Sequence, residues 1–124
     1  MVLPRAARDG WRFPPTVPGS LAFEPLLHCA PMFVGIVRIE LHIPASRSLK
    51  DKRSVVQGLK ERIRHRVRAA VAEVDHQDLW QRAALGVAVV SGDRRQVDEQ
   101  LQSVRMLVQS THGAELLDWE ERVP

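Results

Sequence analysis

The sequence has no tyrosine, only three tryptophans and three phenylalanines, and a single cysteine, Cys29. One cysteine cannot make an internal disulfide, so the fold does not depend on an oxidising compartment and the cytoplasm is the expected location. No hydrophobic run approaches the roughly 20 residues of a spanning helix, so no membrane partner is expected. A phosphate-cradling glycine-rich loop and a dinucleotide fingerprint are both missing, since Ser91-Gly92-Asp93 reads as a turn. Ser46, Ser48 and Ser91 have no histidine neighbour to activate them, so no catalytic residue is assigned and an enzyme is not expected. Glu73, Asp75, His76 and Asp78 gather near one connection, but their spacing matches no metal-ligand pattern. Neither a metal nor a cofactor is expected. What remains is a chain of 124 residues, 44% hydrophobic and 27% charged, which fits one ordinary globular domain.

Composition is uneven along the chain. Pro4, Pro14, Pro15, Pro18, Pro25 and Pro31 are six of the eight prolines, and Trp11, Phe13 and Phe23 are half of the aromatics. Proline fixes φ and removes a donor, so residues 1–31 resist both helix and sheet. Two readings fit: a disordered extension, or translated upstream sequence with Met32 as the true initiator. The domain is expected over residues 32–124.

Patterning starts after Met32. Phe33 to Ile43 alternates, with Gly35, Val37, Ile39, Leu41 and Ile43 on one face and Val34, Ile36, Arg38, Glu40 and His42 on the other. That is a strand covered on one side. Ser48 and Asp51 have the spacing of a helix start, and Leu49, Val56, Leu59, Ile63 and Val67 make its apolar stripe. Gly58 lies off that stripe and weakens the helix by about 1 kcal/mol relative to alanine. Short strands are expected over Ala69–Asp75, Ala83–Val90 and Ala114–Glu120. A second helix is capped by Asp93 with Gln96 at the third position, carries Val97, Leu101, Val104 and Val108 inward, and stops at Gly113. The order β-α-β-β-α-β predicts an α+β, ferredoxin-like split βαβ fold, with two helices on one face of a four-stranded antiparallel sheet. Right-handed crossovers put the first and third strands in the centre.

The stretch MFVGIVRIELHIPASRSLKDKRSVVQGLKERIR, and AEVDHQDLWQRAALGVAVVSGDRRQVDEQL after it, resemble the YlxP-like bacterial family of unknown function over residues 32–124. The run from Ser48 to Arg53 is the most distinctive piece. The resemblance implies a ferredoxin-like fold. The family's genes sit among translation genes, near initiation factor two and ribosome-binding factor A, which implies RNA or ribosomal particles as partners. No functional residue carries over from it.

Charge is also uneven. The net charge is only +3, yet Arg47 to Arg68 holds nine Lys or Arg against Asp51 and Glu61, a net of +7. Long cations on a helix ridge can track phosphates and release counterions. Arg47, Lys50, Lys52, Arg53, Lys60 and Arg64 are the expected nucleic-acid contacts. The alternative is a merely solvated face. The outward faces of the central strands carry no aromatic, which argues against base stacking on the sheet. Val34, Ile36 and Arg38 instead suggest a homodimer through that face, with a regulatory or small-ligand-binding role, the alternative being a face covered by the N-terminal segment or the final strand. Trp80 is expected to close its loop over the core, the alternative being a stacking residue, and Arg82 to pair with Asp78 or Asp75. His42, His65 and His112 show no partner.

Overall fold

The structure is a computed structural model that describes residues 31–124. Both readings of residues 1–31 therefore fall outside the described residues, apart from Pro31, and Met32–Pro124 forms a unit of its own. Its elements run β1 (Phe33–His42), α1 (Leu49–Val67), β2 (Ala70–Asp75), β3 (Arg82–Ser91), α2 (Arg94–Gln109) and β4 (Glu115–Arg122). The sheet order is β2-β3-β1-β4, antiparallel throughout, with the two most apolar strands in the middle as predicted. This is the α+β ferredoxin-like arrangement.

The alternation of β1 decides the layering. Val37, Ile39, Leu41 and Ile43 are buried against the helices, and β3 joins them through Leu85, Val87 and Val89. The helices add Val56, Leu59, Ile63 and Val67 from α1, and Val97, Leu101, Val104 and Val108 from α2. Gly35 lets α2 approach β1: a Cβ there would lie 2.5 Å from Val97 Cγ1 and 2.9 Å from Leu101 Cδ1. Gly58 faces open space, in keeping with its place off the stripe.

The caps follow the sequence with adjustments. Ser48 Oγ accepts from the Asp51 N–H at 3.0 Å, and Asp51 Oδ2 accepts from the Arg47 N–H at 3.1 Å. Asp93 Oδ1 accepts from the Arg95 N–H, while Gln96 bonds Ser91 Oγ instead of closing a capping box. The second helix ends at Gln109, before the expected stop at Gly113. The hydroxyls of Ser110 and Thr111 both donate to the Leu107 carbonyl and satisfy the helix end early. Gly113 serves the following turn, at φ 84. In β4 the register slips beside Glu40 and Leu41, so Leu117 bulges out and is exposed.

Candidate nucleic-acid interface

The capped start of α1 fixes which of its cations face water. Arg47, Lys50 and Arg53 are exposed and Lys60 is half-buried. Arg64 is exposed yet donates from Nη2 to the Val71 carbonyl of the edge strand β2 at 3.1 Å, and Arg62 donates to Thr111 Oγ1 at 3.0 Å. Arg53, Lys60 and Arg64 share the flank of α1 next to β2, with Lys50 beside them.

Lys52 corrects the sequence reading. It is 0% exposed and sits inside the apolar stripe, at helical spacing from Val56. Its ammonium donates to the carbonyls of His76 at 2.7 Å and Gln77 at 3.2 Å. Glu73 Oε2 lies 3.2 Å away, near enough to balance the charge though not aligned as a hydrogen bond. A buried cation without such partners would cost several kcal/mol, so Lys52 is committed inward and does not reach a phosphate.

The other eight cations of Arg47–Arg68 differ from those of the sheet. Among the described residues, none of the eight lies within ion-pair distance of a carboxylate. Each of the sheet's three arginines does. Arg38 Nη2 lies 3.0 Å from Glu40 Oε1 and 3.2 Å from Asp75 Oδ2, Arg82 Nη2 lies 3.3 Å from Glu40 Oε2, and Arg122 pairs with Glu120.

The acidic connection is part of this network. Glu40, with its side chain 15% exposed, accepts from Arg38 and Arg82 and lies 3.1 Å from His76 Nε2. Burial pushes the Glu40 carboxyl up, but the two arginines and His76 outweigh it and hold it below the ordinary carboxylate range. The backbone N–H of His76, then Arg38, likewise hold Asp75 down. Arg82 thus pairs with Glu40 rather than with Asp78 or Asp75, because antiparallel register sets it across from His42, beside Glu40. His42 also has a partner, Glu115 Oε2 at 3.2 Å. Among the described residues, no group of carboxylates and histidines is arranged to hold a metal.

On the open face of the sheet, pairing selects Ala84, Gly86, Ala88 and Val90 from β3, opposite Glu40, Arg38, Ile36 and Val34. The face carries no aromatic from its central strands. Ile36, Val74 and Val90 are exposed, Val34 is half-buried, and Arg38 is tied to its carboxylates. Ile36, Val74, Gly86 and Ala88 line a shallow hollow of about 600 Å³.

Trp80 is a second correction. It is 55% exposed near the β3 end of the β2–β3 connection, beside exposed Leu79, and does not close over the core. The core is already filled from β3 and α1, and the loop is tied down by polar contacts instead. Trp119, on β4, lies partly buried with Arg105 over its ring at 5.3 Å.

No helix among the described residues is long and apolar enough to cross a membrane. The chain is 34% identical over 77 residues to the uncharacterised protein YlxP of Bacillus subtilis, covering 62% of this chain and 84% of that one. A de novo designed protein, Foldit4, is similar in structure with a TM-score of 0.46 and 13% identity, over 75% of this chain and 96% of that one. Residues 34–121 match the family described as protein of unknown function (DUF503), and the chain belongs to it.

Proposed function

We propose that this protein is a non-catalytic, cytoplasmic RNA-binding factor associated with the translation apparatus, and that α1 supplies its phosphate contacts. The observation that carries this reading is the set of cations on Arg47–Arg68 that meet no carboxylate among the described residues, while every arginine of the sheet is paired. Stability accounts for only part of that set: Arg62 and Arg64 make hydrogen bonds within the fold, and Arg64 and Arg66 lie in the last turn, where the helix dipole favours cations. Lys60 with Arg64 and Arg62 with Arg66 are like charges four residues apart on the helix, each pair destabilising by about 0.2–0.5 kcal/mol. Unpaired cations on one surface keep a positive field that a polyanion relieves. Arg47, Lys50, Arg53 and Lys60 are the contacts, with Arg64 contributing from the edge of β2. The test is cosedimentation of the full chain with ribosomal particles at low and moderate salt. Arg53→Glu with Lys60→Glu should weaken a salt-sensitive association. An association that ignores both salt and the double variant rejects the reading.

A second reading rests on the open sheet face, where Ile36, Val74 and Val90 lie exposed around Gly86 and Ala88. A homodimer through this face would bury them. Ile36→Asp should then yield monomers by sedimentation velocity, and a wild type that is monomeric at high concentration removes the idea.

A further inference from the structure

We infer that Trp80 is a base-stacking residue and that the RNA contacted by α1 is single-stranded. This rests on the RNA-binding reading and adds a ligand class and a residue to it. Trp80 is not part of the hydrophobic core. More than half of its surface stays in water, although a buried tryptophan is among the largest hydrophobic contributions a side chain makes.

The loop that carries it is nevertheless held at both ends. Lys52 Nζ grips the His76 and Gln77 carbonyls on one side, and the Leu79 N–H donates to His76 O at 3.1 Å. On the other side the Ile43 N–H donates to Gln81 O at 2.8 Å, and Gln81 Nε2 donates to Pro44 O at 3.1 Å and Ser46 O at 3.3 Å. The backbone on both sides of the exposed indole is held this way, so the loop loses little freedom on binding.

The same contacts set its neighbours. Ser46, bonded by the residue after Trp80, precedes Arg47; Lys52, bonded to the start of the loop, precedes Arg53. The exposed indole therefore shares one end of the molecule with cations that meet no carboxylate among the described residues. Aromatic rings beside backbone-tracking cations are what single-stranded nucleic acid requires, because its bases are free to stack and duplex bases are not. The α1 cations thus favour a nucleic-acid occupant over an apolar protein surface, with Asp78 the one carboxylate beside the ring that such a strand must pass.

The test measures affinity of the full chain for a labelled RNA single strand of about ten nucleotides and for a duplex of similar length. Trp80→Ala should weaken single-strand binding about tenfold. It should leave duplex binding and the thermal midpoint unchanged, and Trp80→Phe should restore most of the affinity. If Trp80→Ala binds the single strand like wild type while Arg53→Glu with Lys60→Glu binds it weakly, the stacking role is overturned and the RNA-binding reading stands. If wild type binds neither RNA, both are overturned, and Leu79 and Trp80 become a surface for a protein partner.

Discussion

Arg38 and Arg53 carry the same guanidinium, and the fold treats them in opposite ways. Arg38, on the sheet, meets Glu40 and Asp75, and its field is cancelled within a few ångströms. Arg53, on α1, meets no carboxylate among the described residues, and its neighbours Lys50 and Lys60 are in the same state. Pairing exposed charges adds little stability, typically 0–1 kcal/mol. The difference between the two regions is therefore electrostatic more than energetic: one surface is neutralised, the other is kept available to an anion. Lys52 belongs to the paired set although its sequence neighbours do not. One turn of helix thus separates a cation that holds the structure from cations that face outward.

Four measurements press on that contrast. Lys52→Ala should cost the most, about 3–5 kcal/mol in urea unfolding, because Glu73 is left as an uncompensated, largely buried charge. A loss below about 1 kcal/mol would place Lys52 with the outward cations after all. Next, Glu40→Gln should lose about 1–3 kcal/mol near neutral pH, by removing the charged acceptor of Arg38 and Arg82. Its pH profile has a defined sign. The folded carboxyl lies below its ordinary 4.5, so its stabilisation is complete above that value and is lost as pH falls through the lower folded value. The variant should flatten the acid limb of the stability curve, and an unchanged limb contradicts the network.

Third, Arg53→Glu with Lys60→Glu should leave stability within about 0.5 kcal/mol of wild type. The same variant should reduce the salt slope of RNA binding by about 2. A marked loss of stability instead would mean that these cations are structural. The smallest effect belongs to Gly58→Ala. With open space around the new methyl group, α1 should gain about 0.5–1 kcal/mol in thermal unfolding, with RNA affinity unchanged.

Regular elements were legible in the sequence because burial imposes a period. Two-residue alternation located β1 and its inward face, and helical spacing found the stripes of both helices. The same spacing pointed to Lys52, which lies on the stripe with Val56, Leu59 and Ile63, but residue type argued the other way. A lysine is read as exposed unless something inside can receive its charge, and the receivers, Glu73 and two loop carbonyls, arrive from β2 and its connection. Arg82 and His42 were opaque for a related reason. Their partners Glu40 and Glu115 come from strand register, which alternation within one strand does not reveal. Trp80 sits in a connection with no period at all, so neither its exposure nor the hydrogen bonds that hold it had a sequence signal. The cations proposed as RNA contacts were found from charge alone, and what the structure added is that, Lys52 apart, they meet no carboxylate among the described residues.

Gly35 has a consequence for how this chain can diverge. Because Val97 and Leu101 of α2 already occupy the volume a methyl group would need, position 35 cannot drift independently of α2. A relative with alanine there should carry a smaller residue at the position of Val97, or seat its second helix farther from the first strand. Variation on the outer side of α1, which has open water around Gly58, carries no such debt. The two helices are thus under different steric constraints: α2 is tethered to a single strand position, and the outer side of α1 at Gly58 is not.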